Sequence, residues 1–393
     1  MSELNYLEKL LDGAEVQWRT LDGVGQFLRG KRFVKSDLIS EGVPCIHYGE
    51  MYTHYGISAE ETKSFLDEGV AEKLRVANHG DVIIVAAGET IEDIGNGTAW
   101  LGKNDVVFHD ACFSFKSELN SKYVSYFLRT KLFKEQIKRG VSSGKISSIN
   151  AKGLGRAEIP IPCPDNLEKS LAIQSEIVRI LDKFSALTAE LTAELTVRKK
   201  QYAYYRDQLL SFDEGEVEWK MLGEITKKIA SGRNKARQAE GDFPVYGSTG
   251  LLGYTNEPAY SGNFLLVARV GAYAGLVNAV SGHFDVSDNT LIIHPADSWN
   301  ARFAFHQLTH MNLNQYAVGA GQPLITGGLL KNLKIPFPSL NEQTRIAKIL
   351  DKFETITASI SDGLPREIEL RQKQYEYYRD MLFSFPKPEV AEA

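Results

Sequence analysis

The sequence predicts an α+β protein in which two mixed α/β globules are separated by two long antiparallel coiled-coil helices with pseudo-twofold symmetry. Two observations predict this fold. The same helical motifs occur twice in the same order, and each helical copy carries an apolar seven-residue period. With 393 residues, of which 43% are hydrophobic and 24% charged, the chain is long enough for two or three domains with apolar cores.

The internal repeat consists of pairs of nearly identical segments. RILDKF at 179–184 returns as KILDKF at 348–353, and QYAYYRDQLLSF at 201–212 returns as QYEYYRDMLFSF at 374–385. EVQWR at 15–19 likewise returns as EVEWK at 216–220, and a proline-rich segment precedes each helical copy, IPIP or IPFP. Two copies are too few for a solenoid, so the order globule, helix, globule, helix indicates a pseudo-twofold molecule.

The repeats divide the chain into an N-terminal segment (1–14), a first globule (15–164), a first helix (165–213), a second globule (214–338), a second helix (339–386) and a C-terminal tail (387–393). Inside the globules, apolar runs rich in β-branched residues predict strands at 81–87, 105–115, 263–269 and 289–294. Helices are predicted from residue 122 onward and over 301–310.

Both helical copies predict a coiled-coil seam, because apolar residues follow one another at alternating steps of four and three. The second copy takes one extra step of four near Gly363 and Pro365, residues that favour a helix end and a new helix start. The predicted seam residues are Leu181, Phe184, Leu191, Leu195, Tyr202 and Tyr205 in the first copy, and Leu350, Phe353, Ile360, Tyr375, Tyr378 and Leu382 in the second.

An uninterrupted helix over 167–211 would be about 65 Å long at roughly 1.5 Å per residue. Pairing the two copies would bury both apolar stripes, and antiparallel packing would place the globules at opposite ends of a rod. The alternative is two independent helices, each packed on its own globule.

Motifs of catalytic or metal sites are largely missing from the sequence. The segment 97–104 resembles a phosphate-binding loop, but it ends in Asn104 instead of Ser or Thr and leads into a predicted strand instead of a helix. Cys45, His47, His109 and Cys112 are a conceivable zinc set, although buried thiols and hydrogen-bonded histidines are commoner. HExxH and GxGxxG motifs do not occur. The sequence therefore assigns no catalytic residue, metal or cofactor.

Composition bounds the environment of the protein. Three cysteines without a CxxC pair, an N-terminal segment with acidic residues and the lack of a long apolar run predict a reduced, cytoplasmic, soluble protein without a membrane span. The net charge of −5 means that any contact with nucleic acid depends on local basic patches.

Basic and aromatic residues recur at parallel places in the two globules, which favours DNA binding. Each globule opens with a basic stretch, continues with an aromatic and polar run, and ends with a polar glycine loop at 142–145 or 319–323. Lys and Arg suit phosphates, whereas Arg, Gln and Asn suit base edges. The candidate DNA-binding residues are Arg29, Lys31, Arg32, Lys35, Tyr48, Tyr52 and Lys145 in the first globule, and Arg233, Lys235, Tyr246, Arg269, Tyr273 and Gln322 in the second. The tyrosines are equally compatible with core positions.

In this order the motifs resemble the specificity subunit of type I restriction-modification enzymes over essentially the whole chain. The resemblance is carried by the ILDKF and QYxYYRDxLxSF repeats, by the IPIP and IPFP closings, and by PCIHYGEMYTHYG and PVYGSTGLLGY within the globules. It implies that the globules are two target recognition domains, each of which reads one half of a bipartite, asymmetric site in double-stranded DNA.

The resemblance also implies partners. The helices would act as a spacer and would dock two modification (methyltransferase) subunits, with restriction (endonuclease) subunits joining the complex. This chain would not be an enzyme, and S-adenosylmethionine, ATP and Mg would belong to the partner subunits. A likeness between 6–11 and 205–210 implies a circular layout in which the N-terminal segment completes the second domain's repeat unit.

Two other functions are compatible with the residues alone. One is a coiled-coil scaffold that joins two protein-binding globules without nucleic acid. The other is a stand-alone nuclease.

Overall fold

The computed structural model describes residues 3–88, 91–142, 144, 146–213, 215–234, 237–319, 321–359 and 362–386. The described residues form two compact units. Unit 1 comprises 3–189 together with 369–386, and unit 2 comprises 190–368. Lys145, Lys235 and Ile360, as well as the predicted tail 387–393, lie outside the described residues.

Unit 1 is built from short helices and strands around a large apolar core and a second, smaller one that includes Phe33 and Cys45. Its helices are α1 (Glu3–Leu11), α2 (Leu21–Val24), α3 (Tyr48–Thr53), α4 (Glu68–Ala71), α5 (Ser121–Phe127), α6 (Lys131–Ile137) and α7 (Ala151–Gly155). Its strands are β1 (Val16–Thr20), β2 (Gly25–Arg29), β3 (Val43–Ile46), β4 (Ser58–Ala59), β5 (Ser64–Leu66), β6 (Val76–Ala77), β7 (Val82–Val85), β8 (Ala87–Gly88), β9 (Gly97–Trp100), β10 (Val106–Phe108), β11 (Cys112–Ser117), β12 (Ser147–Ser148) and β13 (Glu158–Pro162).

Helix α8 (Leu167–Leu210) follows, and the boundary between the units falls within it, after Ala189. Unit 2 then has the strands β14 (Glu218–Met221), β15 (Thr226–Ser231), β16 (Phe243–Gly247), β17 (Gly250–Thr255), β18 (Tyr260–Ser261), β19 (Phe264–Ala268), β20 (Val277–Val280), β21 (His283–Val286), β22 (Thr290–Pro295) and β23 (Lys334–Phe337). Its helices are α9 (Ala301–His310), α10 (Gly327–Lys331) and α11 (Leu340–Ala358), and the last helix of the chain is α12 (Leu364–Leu382).

The two units share one arrangement of strands. A sheet in the order β2-β11-β7-β9-β4 in unit 1 corresponds to a sheet in the order β15-β22-β19-β20 in unit 2. In both sheets, adjacent strands among the first four are antiparallel. A second sheet contains a parallel pair in each unit, β3 with β10 and β16 with β21. The EVQWR and EVEWK segments pair with the proline-rich segments as β1 with β13 and β14 with β23. The sequence repeat therefore marks equivalent strand pairs in two similar folds.

One predicted strand is divided in the structure. The apolar run 105–115 forms β10 and β11, which belong to different sheets and are separated by the turn 109–111. His109, Asp110 and Ala111 interrupt the run, and the chain changes sheets at that point. The other predicted strands correspond to β7, β19 and β22, and the predicted helix over 301–310 is α9.

The long helices follow the sequence prediction in their boundaries. Helix α8 has no interruption over its 44 residues, whereas the second helical copy is divided into α11 and α12. The division falls at Gly363 and Pro365. The close approach at residue 363 requires glycine, since a Cβ there would lie 2.3 Å from the Thr355 carbonyl oxygen. Pro365 occupies the first turn of α12, where proline is favoured. The helix end and restart predicted at the extra four-residue step are thus present.

Several predicted seam residues lie in the cores of the units. Leu181, Tyr375 and Leu382 belong to the core of unit 1, and Leu350 belongs to the core of unit 2. The globules therefore cover part of the apolar stripe of each helix. The sequence-based prediction had placed these residues in a seam between the two helices instead. The reason is that strands and short helices beside each stripe supply their own apolar faces, including α5 and α9.

Other predicted seam residues do contact the second helical copy within their unit. In unit 1 the rings of Phe184 and Tyr378 stack with centroids 5.1 Å apart. In unit 2 Phe353 lies 5.5 Å from Tyr205 and 6.1 Å from Tyr202. Leu191 and Leu195 are half-buried.

The N-terminal helix lies in unit 1, which corrects the expectation that it completes the repeat unit of the second globule. Leu7, Leu10 and Leu11 of α1 pack on the core of unit 1. The same core includes Phe383 and Phe385 from the last helical repeat. The Trp18 indole donates a hydrogen bond of 3.3 Å to the Pro386 carbonyl. The C-terminal repeat, not the N-terminal helix, thus occupies in unit 1 the place that 201–212 occupies in unit 2.

Among the described helices, none combines the length and the apolar character that crossing a bilayer requires.

Candidate nucleic-acid interface

In unit 1, the candidate site is organised around the turn 109–111, which we call hub 1. Main-chain hydrogen bonds join three other segments to this turn or to its two flanking residues. Gly30 N donates to Cys112 O at 3.0 Å, His109 N donates to Ile46 O at 3.1 Å, and Ala86 N donates to Ala111 O at 2.7 Å. The ends of β2, β3 and β7 therefore meet at hub 1.

Unit 2 has the same arrangement around the turn 287–289, which we call hub 2. Gly232 N donates to Thr290 O at 2.9 Å, Ser287 N donates to Tyr246 O at 2.9 Å, and Arg269 N donates to Asn289 O at 3.0 Å. These bonds join the ends of β15, β16 and β19 to the turn. Each bond at hub 2 corresponds to one at hub 1, so the two hubs are equivalent.

A fourth segment joins each hub through the residue beside the turn. Ile149 N donates to Ala86 O at 2.9 Å in unit 1, and Ile325 N donates to Arg269 O at 2.8 Å in unit 2. These segments follow the predicted polar glycine loops 142–145 and 319–323. The structure therefore brings the basic stretch, the aromatic run and the segment that follows the glycine loop of each globule to one place.

A glycine is required at each hub. A Cβ on Gly30 would lie 2.1 Å from the His109 carbonyl oxygen, and a Cβ on Gly232 would lie 2.2 Å from the Ser287 carbonyl oxygen. Both contacts are with backbone, which cannot rotate away. The close approach places Lys31 and Arg233, the residues after the glycines, directly beside the turns.

The predicted cations of unit 1 differ in how they are held. Arg29 Nε donates to Asp110 O at 3.0 Å, and Lys31 Nζ donates to Lys73 O at 2.8 Å. Arg32 and Lys35 are exposed. Arg29 and Lys31 thus fix the surface around hub 1, and Arg32 and Lys35 add positive charge to it.

Hub 1 carries an aromatic cluster that includes the predicted Tyr48. Its ring centroid lies 4.6 Å from that of His47 and 4.9 Å from that of His109. Phe33 contacts both imidazoles, at 5.8 and 5.2 Å. Tyr52 is mainly structural, because its hydroxyl donates to the Ala87 carbonyl at 2.8 Å.

Both imidazoles of this cluster are held neutral. His47 Nδ1 accepts from Gly49 N at 3.2 Å, which places the proton of this neutral ring on Nε2. His109 Nδ1 lies 3.0 Å from Ala111 N and 3.0 Å from Asp110 Oδ1. Burial lowers the pKa of His47 and the pKa of His109, and the nearby Glu50 and Asp110 carboxylates oppose this only in part. The His47 ring is therefore an Nε2–H donor at neutral pH.

The predicted residues of unit 2 differ in their exposure. Arg233 and Gln322 are exposed, and Tyr273 has 61% of its surface exposed. Tyr246 is half-buried against Phe284, with ring centroids 6.0 Å apart. Tyr246 is therefore a packing residue, whereas the other three are available to a ligand.

Sequence reasoning missed polar residues that the structure places at the hubs. Ser248 Oγ donates to Asn289 O at 2.9 Å, so the turn between β16 and β17 also belongs to hub 2. Asn289 and Asp288 occupy the positions that Ala111 and Asp110 have at hub 1. The signal was present, since HDAC at 109–112 and SDNT at 287–290 both place Asp second in an interrupted apolar run.

The conceivable zinc set does not form a metal site. Cys45 and Cys112 are buried core residues, and burial raises the pKa of each thiol to about 12. Among the described residues, the group of possible ligands that does converge is His306, Asp351 and Glu354, within 4.8 Å of one another. The Arg302 guanidinium already forms ion pairs with both of these carboxylates.

That group belongs to a latch that is present in both units and is built on the ILDKF repeat. Asp351 accepts from Arg302 Nε at 2.9 Å and lies 2.7 Å from His306 Nε2. In unit 1 the equivalent Asp182 accepts from the Tyr126 hydroxyl at 2.7 Å and pairs with Lys122. The repeated aspartate thus attaches the start of each long helix to α5 or α9.

A second pair of contacts strengthens the latch. Gln174 Oε1 accepts from Asn120 N at 2.9 Å, and Gln343 Oε1 accepts from Asn300 N at 2.8 Å. Asn120 and Asn300 are the N-cap residues of α5 and α9. Each globule is therefore attached to its following helix in the same way.

Comparison with known families gives one match over most of the chain. The model of the type I restriction modification DNA specificity domain matches residues 14–197 and 215–370.

Curated relatives match over nearly their whole length. The chain is 38% identical to the type I restriction enzyme EcoR124I/EcoR124II specificity subunit of Escherichia coli, covering 99% of each chain. It is 40% identical to the EcoprrI specificity subunit of Escherichia coli, covering 92% of this chain and 93% of that one.

Solved structures share the fold. The S subunit of a type I restriction-modification system from M. genitalium superposes with a TM-score of 0.61 at 17% identity, over 96% of this chain and 98% of that one. A chain solved in work on complex assembly and conformational transition of the type I R-M system superposes with a TM-score of 0.57 at 16% identity, over 94% of this chain and 97% of that one.

Proposed function

Because the chain belongs to the family of type I restriction-modification DNA specificity subunits, we propose that each of its two units reads one half of a bipartite, asymmetric DNA sequence. The family makes the chain the component that selects DNA, and not the catalytic subunit. Hubs 1 and 2 are the proposed reading sites.

One observation carries this proposal: the same backbone arrangement occurs twice with different polar side chains. At equivalent positions hub 1 has His109, Ala111 and Ala86, whereas hub 2 has Ser287, Asn289 and Arg269. Base identity is read by the donors and acceptors of side chains, so equivalent turns with different side chains select different bases. A chain with two such hubs accordingly recognises a sequence whose halves differ.

Local charge supports binding of DNA in spite of the net charge of −5. Arg32 and Lys35 beside hub 1 and Arg233 beside hub 2 are exposed. Cations of this kind contact phosphates and position a protein on the duplex without selecting a sequence.

We assign the long helices the roles of spacer and docking site. An antiparallel coiled coil is supported by the seven-residue period and by the Phe184–Tyr378 and Phe353–Tyr205 contacts inside the two units. In this proposal two methyltransferase subunits dock on the helices, restriction subunits join them, and the partners hold S-adenosylmethionine, ATP and Mg. A structural relative comes from work on assembly of such a system, which agrees with a chain that functions in a complex.

The experiment that tests the proposal is a selection from randomised DNA by the chain in complex with its modification subunits. Tyr48→Ala at hub 1 should relax only one half of the selected motif, and Gln322→Ala at hub 2 should relax only the other half. A lost base contact costs about 1–3 kcal/mol, or roughly 5- to 150-fold in affinity, at the position concerned.

Matched controls come from the first strand of each globule. Arg19 on β1 and Lys220 on β14 are equivalent cations, separated from the hubs by the whole of β2 or β15. Arg19→Ala and Lys220→Ala should leave both half-sites unchanged. Salt-independent or undetectable DNA binding by the complex would support a protein-binding scaffold instead, and cleavage of DNA by the isolated chain would support a nuclease.

A further inference from the structure

We infer that Arg269 reads a guanine in the half-site bound by unit 2, an inference that rests on the proposed function. Arg269 follows β19 and is fixed at hub 2 by two main-chain bonds, from its N–H to Asn289 O at 3.0 Å and from Ile325 N to its carbonyl at 2.8 Å. Its Cα is therefore held in place by the turn on one side and by the segment after the glycine loop on the other.

The side chain of Arg269 has an unsatisfied donor in the part of the chain that the structure describes. Its Nε–H is buried and has no acceptor among the described residues, and the side chain is otherwise half-buried. A buried donor without an acceptor is unfavourable, and more so when it is charged. A ligand that brings acceptors to this guanidinium would remove that penalty.

Several other arginines of the chain have acceptors within the protein. Arg29 donates to Asp110 O, and Arg302 pairs with two carboxylates. Arg129 also has a buried Nε without an acceptor, but its Nη2 donates to the Gly56 and Gly97 carbonyls. Arg129 is thus a structural clamp, whereas Arg269 is the hub arginine whose acceptors must come from a ligand.

The place of Arg269 favours a base edge over a phosphate. A phosphate contact needs only a mobile surface cation, such as the exposed Arg233. The main chain of Arg269 is fixed on both sides, and a planar guanidinium presents a pair of donors that matches O6 and N7 of guanine. Ser248 and Asn289 of the same hub have uncharged side chains of the types that contact bases.

The equivalent position in unit 1 is Ala86, whose side chain has no donor. An arginine at this position therefore reads a base in only one half of the DNA site. The difference between Ala86 and Arg269 contributes to the asymmetry of the recognised sequence.

The test uses the chain in complex with its modification subunits and duplexes that carry the selected motif. In the wild-type complex, replacing one guanine of the unit 2 half-site by adenine should lower affinity about 5- to 150-fold. Replacing the same guanine by 7-deazaguanine, which lacks the N7 acceptor, should also lower it. The Arg269→Ala complex should bind all three duplexes within about twofold of one another, as expected when the reading side chain is gone.

Further variants separate reading from charge. Arg269→Lys keeps the charge without the paired donors and should leave the guanine preference weakened. Arg233→Ala should weaken all duplexes alike and retain the preference. Thermal unfolding of each variant shows whether unit 2 remains folded.

Two results would overturn the inference and leave the proposed function intact. In one, Arg269→Ala weakens every duplex equally, which indicates a phosphate contact. In the other, it changes no affinity while Gln322→Ala still relaxes the half-site. If no variant at either hub alters sequence preference, the proposed function itself fails.

Discussion

Gly30 and Gly232 are the residues at which the backbone of each hub comes closest to a neighbouring strand. We predict that Gly30→Ala or Gly232→Ala lowers the free energy of unfolding by about 1–3 kcal/mol, because a Cβ would collide with a carbonyl oxygen of the turn. Each change should also weaken recognition of one half-site. Chemical denaturation and the DNA selection described above measure the two effects.

Gly56→Ala and Gly321→Ala are the matched controls. A Cβ at either position meets no atom within 4 Å, and neither residue has a positive φ. Both variants should have wild-type stability. A hub variant as stable as its control would show that the turn can shift without cost.

His47 and His109 link the stability of unit 1 to pH. Because burial lowers the pKa of both imidazoles in the folded protein, the unfolded chain binds more protons below its own histidine pKa of about 6.5. The histidine contribution is therefore present above about pH 6.5 and is lost as the pH falls from there towards the lower folded pKa values. Denaturation at pH 7.5 and 5.5 should show a smaller loss of stability for a His47→Gln, His109→Gln variant than for the wild type.

Charged residues near these rings, and other buried histidines, also influence the pH dependence of stability. Glu50 and Lys35 interact with His47, and Asp110 and Arg32 interact with His109. His306 and His310 in unit 2 also have pKa values lowered by burial, so part of the pH dependence remains in the double variant. An unchanged pH dependence would mean that the hub 1 histidines do not contribute.

At the scale of elements, the length of α8 is the quantity that the spacer proposal depends on. Four residues inserted after Leu195 would lengthen this helix by about 6 Å at roughly 1.5 Å per residue and would match the extra step of the second copy. We predict a changed gap preference or weaker binding, with the sequence of each half-site unchanged. The same insertion after Gly215, in the turn that follows the helix, is the control. Selection from DNA with randomised gaps is the measurement, and an unaltered gap would exclude the spacer role.

At the scale of the whole molecule, residues 369–386 belong to unit 1 together with the N-terminal half of the chain. Phe383 is fully buried, with ring centroids 4.8 Å from Tyr123 and 5.6 Å from Phe127. Phe383→Ala should therefore cost about 3–5 kcal/mol of stability in unit 1. In hydrogen exchange, α5 should lose protection whereas α9 of unit 2 should keep it.

Tyr377→Ala is the control for this change, since Tyr377 lies on α12, which ends just before Phe383, and has 49% of its surface exposed. It should leave exchange in α5 unchanged. Loss of protection in α9 with Phe383→Ala would show that the two units do not unfold separately.

Much of the architecture could be predicted because it is written in local patterns. The seven-residue period, the paired motifs, and the Gly363 and Pro365 signals placed the long helices and their interruption correctly. The candidates chosen from the basic, aromatic and glycine-rich segments include Tyr246 and Arg269 at hub 2, but not the turns 109–111 and 287–289 themselves. These signals depend on neighbours within a few residues or on repetition, both of which are visible in a sequence.

The sequence by itself determined that this protein is a repeated molecule with helical repeats and two globules, since period and repetition need no knowledge of distant contacts. Only the tertiary structure decided that the run 105–115 turns at Asp110 into a second sheet, that Gly30 meets His109, and that Phe383 completes the core of unit 1. These contacts join residues about 80 or more positions apart along the chain. Their formation depends on sheet order and register, which are selected by the packing of the whole unit and not by any one segment.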